Sequence, residues 1–217
     1  MRRLFPLFCL CLVLTACGSR TVAFTLTTDL TDPADRTEIF DAVQRVVTRR
    51  ASRLESTLTD ISVTAKDNSG ATLSFTTTND VATQLTEELL SPFSLKIMLQ
   101  SDDESGDLYV EEQGWFTNTG ITEKDILWTQ SFTKSDGTGV VVLLLSDEGR
   151  TRFDTLIGQN IGRTIGLFVR DKLMSKMQIE RTMEKDKIAI GGIPTPDIAG
   201  IFADDVNVGI HISFSKP

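Results

Sequence analysis

The spacing of apolar residues between positions 21 and 100 changes several times, and the order of these changes restricts the fold more than any other feature of the sequence. Alternating apolar residues predict strands, and apolar residues three or four positions apart predict helices. The predicted strands are 21–28, 61–66, 71–77 and 93–100. One helix is predicted from Asp32-Pro33 to about Ser56, and a second from Asn79 to Ser91-Pro92.

This order is β-α-β-β-α-β, which is the ferredoxin-like arrangement. It predicts an α+β fold in which two helices cover one face of an antiparallel sheet. The arrangement serves many unrelated functions, so it does not define an activity.

A second α+β unit follows a polar, acidic stretch at 101–107 (SDDESGD). A short helical turn is predicted at 121–126, beginning at Thr122, and helices are predicted at 146–160 and 195–207. The predicted strands of this unit are 127–133, 140–145, 164–169, 173–179 and 187–190, and a last strand is predicted at 209–214.

The first residues are typical of an export signal. Arg2 and Arg3 precede an apolar run that ends Leu14-Thr15-Ala16-Cys17. The run is shorter than the about 20 residues that a membrane-spanning helix needs. Small residues before a cysteine form the lipobox of bacterial lipoproteins, so we expect a signal peptide over 1–16 and a lipid on the sulfur of Cys17. The alternative is an ordinary signal peptide that happens to contain a cysteine.

The cysteines and the single histidine limit the possible chemistry. Cys9 and Cys11 lie in the predicted signal peptide, which leaves Cys17 alone in the mature chain and predicts no disulfide. His211 is the only histidine, so most zinc sites and histidine-dependent catalytic groups are not expected. We expect no cofactor, no metal and no catalytic residue. The net charge of −8 also argues against nucleic acid as a partner.

Four segments of the second unit resemble the head of the first extracytoplasmic domain of the SecD protein-export subunit, in the same order. These segments are ITEKDI, VVLLLSDEGRTRFDTL, NIGRTIGLFVRDKLMSKMQI and IAIGGIPTPDIAGIFADDVNVG. The predicted first helix, RTEIFDAVQRVVTRRASRL, resembles the arginine-containing helix of the SecD base less closely.

The resemblance implies a ferredoxin-like base over 17–104, a SecD-like head over 105–208 and a closing strand over 209–217. In this arrangement residues 209–214 return to pair with the base. SecD also carries transmembrane helices that couple proton flow to translocation, whereas this sequence has no second long apolar run. The implied role is therefore limited to handling exported polypeptide.

Three hypotheses for the function follow. The first is a non-catalytic, lipid-anchored module on the extracytoplasmic side of a membrane of the cell envelope, which assists protein export by binding exported polypeptides or the Sec translocon. The second is an envelope lipoprotein that uses the same fold to bind an unrelated protein. The third, an enzyme such as a hydrolase, is the least supported because no nucleophile, base or metal cluster is evident.

Several residues have both a functional and a structural interpretation. Gly162 and Gly191-Gly192 are suited to a binding loop, but tight turns are the simpler explanation. The acidic residues Asp102, Asp103, Glu104 and Asp107 lack the spacing of a calcium-binding EF-hand loop. Trp115 and Phe116 are expected in the core, and Ser146 is expected to cap a helix.

The charged residues of the predicted first helix, and His211, also have a structural and a functional interpretation. Arg45, Arg49, Arg50 and Arg53 are expected on a solvated helix face, paired with Asp41 and Glu55, and contact with acidic lipids is the alternative. His211 is expected on a strand, in a structural or exposed position.

Overall fold

The computed structural model describes residues 18–66, 70–102 and 104–217. Over these residues the fold is α+β, with three antiparallel sheets and four α-helices. The four-stranded sheet consists of β1 (Ser19–Thr28), β2 (Thr59–Ala65), β3 (Gly70–Thr78) and β12 (Ile212–Ser215). The helices α1 (Pro33–Arg53) and α2 (Asn79–Leu90) pack against it.

The strand order of this sheet is β12-β1-β3-β2, with one core beneath it. The rings of Phe24 and Phe75 lie 6.2 Å apart on neighbouring strands, and Phe214 of β12 meets Phe24 edge-on at 6.1 Å. The apolar face of α1, which includes Ile39 and Val43, closes this core. Each fully buried side chain of this size stabilises the fold by about 1.5–3 kcal/mol.

The rest of the chain forms two further sheets. The five-stranded sheet contains β4 (Leu95–Gln100), β5 (Leu108–Val110), β6 (Gly114–Thr122), β9 (Thr164–Val169) and β10 (Lys172–Gln178), in the order β10-β9-β4-β6-β5. The three-stranded sheet contains β7 (Ile126–Thr133), β8 (Gly139–Leu145) and β11 (Lys187–Ile193), in the order β11-β8-β7. The helices α3 (Asp147–Gln159) and α4 (Pro196–His211) complete this part of the chain.

Strand β4 is not the fourth strand of the ferredoxin-like unit, which corrects the prediction for 93–100. It lies at the centre of the five-stranded sheet, between β9 and β6. Leu95 and Ile97 belong to one core cluster, whereas Met98 belongs to another. A strand whose two faces both pack against apolar side chains is most stable in the interior of a sheet. The outer position beside β1 is occupied by β12 instead.

The chain leaves the four-stranded sheet after α2 and returns through α4. This helix continues to His211, beyond its predicted end at Asn207, because Asn207 and Val208 lie four and three residues before His211 and all three are buried. The predicted strand 209–214 is therefore wrong at its start. The strand that forms, Ile212–Ser215, pairs with Thr25–Thr28 of β1.

The segment from 108 to 122 forms two strands that the sequence did not predict. Of the residues in β6, only Phe116 and Ile121 are buried. The pairing of β6 with β4 is interrupted by a bulge, so alternation is lost along the strand. The acidic stretch at 101–107 is thus a connection within one sheet.

Candidate functional site

An apolar groove opens where the core between the five-stranded and three-stranded sheets reaches the surface. Its volume is about 270 Å³. Its buried lining includes Val141 of β8, Leu167 of β9 and Ile190 of β11. Met174 of β10 and Ile198 of α4 stand at its margin and are about half exposed. Apolar side chains therefore continue from the core into solvent at this point.

Strands β10 and β11, which flank the groove, are each the outermost strand of their sheet. The other outer strand of the small sheet, β7, is covered by α4: the amide of Asn207 donates to the carbonyl of Thr129 at 2.8 Å and accepts from its N–H at 2.7 Å. Outer strands present unpaired backbone groups to which an extended peptide can add. The groove thus combines apolar side chains with two available strand edges.

Gly191 and Gly192 line this groove within β11, rather than forming a turn after it. The pairing of β11 with β8 shifts between Ile190 and Ile193, and Gly192 has a φ of +73°. Glycine adopts this conformation without strain, so the bulge is favourable here. The predicted turn is corrected to a bulge inside the strand.

Two arginines of the α1 cluster, Arg45 and Arg49, pair with α4, which corrects their predicted pairing with Asp41 and Glu55, whereas Arg53 is exposed as expected. Arg45 Nε and Nη2 donate to the carboxylate of Asp204, at 2.9 and 2.7 Å. Arg49 Nη1 donates to the same carboxylate at 2.9 Å. Burial opposes ionisation of Asp204, but these hydrogen bonds outweigh it and lower the pKa of its carboxyl below the ordinary value.

His211 lies at the end of α4, not on a strand, and it is buried. Its Nδ1 lies 3.0 Å from Asp29 Oδ1, and its Nε2 lies 2.9 Å from the carbonyl oxygen of Leu127. Its ring stacks on Trp128 at 5.2 Å. The residue joins α4, β7 and the end of β1, which is a structural role.

The other predicted positions have structural roles as well. Ser146 caps α3 by accepting from the N–H of Gly149 at 3.1 Å, as predicted. Gly162, with a φ of +88°, turns the chain after α3. Phe116 is buried against Phe168, as expected for a core residue, whereas Trp115 is only partly buried and contacts Tyr109.

Among the residues that the structure describes, which omit Asp103 of the acidic loop, no three His, Cys, Asp or Glu side chains converge. Asp107 accepts from the N–H of Asn118 at 2.8 Å. The lipidation site predicted at Cys17 lies outside the described residues.

Sequence reasoning did not single out the groove residues Met174 and Ile198. A signal was present, since Ile198 and Ile201 add a second apolar face to α4 beside the one that includes Ala199 and Ala203. Whether an exposed apolar residue of a helix belongs to an interaction surface depends on the residues that lie around it, and the sequence alone does not give those neighbours.

Within the described ranges, no helix is long and apolar enough to cross a membrane.

The arrangement of the sheets is that of a SecD-like α+β module, which confirms the predicted fold class. Solved structures of SecDF share it. The crystal structure of SecDF in the super-membrane-facing form aligns with a TM-score of 0.53 and 11% identity, over 91% of this chain and 30% of the SecDF chain. A second structure, of SecDF as a membrane component that enhances protein export, aligns with a TM-score of 0.50 and 12% identity, over 90% of this chain and 99% of the other chain.

The third structure, SecDF from Thermus, described as a translocon-associated membrane protein, aligns with a TM-score of 0.50 and 13% identity over 88% of this chain. The present chain spans 30% of the length of the first and third SecDF chains. No protein-family model matches the sequence, and no curated protein is significantly similar to it. At these identities the likeness shows the fold alone.

Proposed function

We propose that this chain is a non-catalytic, lipid-anchored module that binds extended polypeptide during protein export. The groove between β10 and β11 is the observation that carries the proposal. Its apolar lining and exposed margin suit the apolar side chains of a non-native chain. The likeness to SecDF, which enhances protein export, supports the same assignment.

Binding at the groove would use both side chains and backbone. An extended segment adds to the free edge of β10 or β11 through main-chain hydrogen bonds, which do not depend on its sequence. Alternate side chains of the segment enter the cavity lined by Leu167 and Ile190. This combination gives broad selectivity for unfolded, apolar segments, which is what a partner of many exported proteins needs.

The lipid on Cys17 would hold the module against the membrane. Strand β1 begins at Ser19, two residues after Cys17. Two residues span at most about 7 Å, so the four-stranded sheet would lie close to the lipid surface. The proposed location is the extracytoplasmic face of a membrane of the cell envelope, where exported chains and the Sec translocon are accessible.

The binding test uses the full chain in detergent micelles with a permanently unfolded probe, reduced and carboxymethylated lactalbumin. Fluorescence anisotropy of the labelled probe measures affinity. The variant Ile198→Asp places a charge at the groove margin and is expected to weaken binding about tenfold or more. Ile161→Asp is the matched control, because Ile161 is 47% exposed and Ile198 is 48% exposed.

The control variant is expected to bind the probe as the unchanged chain does. Equal affinity of both variants, or no binding by the unchanged chain, would contradict the proposal. The alternative, an envelope lipoprotein with one dedicated protein partner, predicts that the unfolded probe does not bind at all.

A further inference from the structure

A second cavity, of about 200 Å³, lies where α1, the end of α2, β12 and the turn between β9 and β10 meet. Its lining includes two arginines, Arg50 and Arg170, together with Ser91 and Ser213. One water molecule occupies about 30 Å³, so the cavity has room for a small oxyanion. It is separate from the apolar groove.

Arg50 is buried without a partner. It is only 8% exposed, and the described residues provide it with no hydrogen bond and no ion pair. The last turn of α1 contains both Arg50 and Arg53, and the helix dipole favours a basic residue there, but Arg53 has this interaction while remaining exposed. The nitrogen atoms of Arg50 are not among the enclosed, unpaired atoms of the described residues, so they open into the cavity, where an anion would be a favourable partner.

The charges around Arg50 leave an excess of positive charge. Burial and then repulsion by Arg170 lower the pKa of the Arg50 guanidinium. Asp205 and Glu88 each attract it more weakly than Arg170 repels it, and Arg53 repels it further. The three arginines Arg50, Arg170 and Arg53 thus outnumber these two carboxylates.

The backbone fixes Arg170 beside this cavity. Its φ is +50° and that of Asp171 is +58°, which defines a tight two-residue turn, and its N–H donates to the carbonyl of Ser94 at 2.9 Å. The carboxylate of Asp171 is bound to Lys96 Nζ at 2.8 Å. Asp171 is therefore paired with Lys96 and not with Arg170, whose residue lines the cavity.

We propose that Arg50 and Arg170 form a binding site for a phosphate-type oxyanion, supplied either as free phosphate or as the phosphate of a lipid headgroup. Guanidinium groups bind such anions through paired, charge-assisted hydrogen bonds. Arg50 belongs to the helix on the four-stranded sheet, and Arg170 belongs to the five-stranded sheet. A bound anion therefore ties these two parts of the molecule together.

The first test titrates inorganic phosphate into the full chain in detergent, at constant ionic strength maintained with chloride, and follows the midpoint of thermal unfolding. The midpoint is expected to rise saturably, because phosphate binds the folded state. Arg170→Asn, which removes the charge but tolerates a positive φ, is expected to weaken phosphate about tenfold. Arg50→Met provides the second variant, and Arg181→Gln removes an exposed arginine that does not line the cavity.

The second test reconstitutes the same proteins in phosphatidylcholine vesicles with and without phosphatidylglycerol. A higher midpoint in phosphatidylglycerol, lost in Arg170→Asn and kept in Arg181→Gln, identifies the lipid phosphate as the source. A response to inorganic phosphate alone, with the same dependence on Arg170, identifies free phosphate. The proposal is overturned if the unchanged chain responds to neither probe, or if Arg170→Asn responds as Arg181→Gln does.

Discussion

Arg45 of α1 and Asp204 of α4 form a bidentate ion pair, in which Arg45 Nε lies 2.9 Å from Asp204 Oδ2 and Arg45 Nη2 lies 2.7 Å from Asp204 Oδ1. The two residues are 159 positions apart in the sequence. Arg49 donates to the same carboxylate, so Asp204 receives three hydrogen bonds from α1. This carboxylate joins the helix of the four-stranded sheet to the helix that returns from the rest of the molecule.

Replacing Asp204 with Asn is expected to lower the free energy of unfolding by about 1–3 kcal/mol, because it leaves the partly buried Arg49 with only the more distant carboxylate of Asp205, at 4.0 Å. Urea unfolding at pH 7 measures the change. Asp41→Asn is the matched control on the exposed side of α1 and is expected to change stability by less than about 0.5 kcal/mol. Equal effects of the two substitutions would contradict a structural role for the ion pair.

The pH dependence of this contribution follows from the lowered pKa of Asp204. A carboxyl with a lowered pKa stabilises the fold fully above its unfolded value of about 3.9 and loses that contribution as the pH falls through the folded value. Stability measured between pH 5 and pH 2 is therefore expected to fall less steeply in Asp204→Asn than in the unchanged chain. Parallel curves would show that Asp204 is not held by its arginine partners.

The adjacent Asp205 is expected to behave in the opposite way. Burial raises the pKa of its carboxyl, although Arg50 and Arg49 partly offset the effect. The ionised form is thus unfavourable, and its cost appears as the pH rises above the unfolded value. Because the side chain is 37% exposed, only the sign is expected: Asp205→Asn should be as stable as the unchanged chain at pH 7, or more stable. Urea unfolding showing a clear loss of stability would contradict this.

Two glycines of α3 are expected to respond oppositely to alanine. A Cβ on Gly149 would lie 2.6 Å from the carbonyl oxygen of Asp125, so Gly149→Ala should destabilise the fold by about 1–3 kcal/mol. A Cβ on Gly158 would meet nothing within 4 Å, and Gly158→Ala should stabilise the helix by about 0.5–1 kcal/mol. Thermal unfolding of both variants checks the pair, and a gain in stability for Gly149→Ala would show that the close approach is absent.

Lipid attachment is expected to depend on Cys17 alone. Cys17→Ser should abolish acylation, measured by mass spectrometry of the protein extracted from membranes, since the sulfur is the acceptor. Cys9→Ser is the matched control, because that residue belongs to the predicted signal peptide. An unmodified Cys17 in the unchanged protein would rule out the lipid anchor.

The sequence predicted the features that depend on near neighbours. Asp32 caps α1, with its Oδ1 2.7 Å from the N–H of Ala34, and the strand at 164–169 has its predicted bounds. Caps and alternation act within a few residues, so a single sequence contains them. The order of the four-stranded sheet is also ferredoxin-like, although β12 occupies the place predicted for the strand at 93–100.

Features that depend on distant partners were not predictable in the same way. Strand β4 has the alternation of an ordinary strand, and only its place between β9 and β6 distinguishes it from a member of the first sheet. The pairing of Arg45 with Asp204 and the exposure of Ile198 likewise depend on how α4 packs. The groove, which these long-range arrangements create, therefore emerged only from the structure.

Site-specific photo-crosslinking in cells tests the central claim most directly, namely that the groove binds exported polypeptide. A photoreactive residue replaces Met174 at the groove, and Leu127, which lies outside it, is the control; their side chains are 51% and 53% exposed. We predict that the probe at Met174 captures many non-native exported chains while the probe at Leu127 captures few. Equal capture at both positions, or a single folded partner at Met174, would contradict the account.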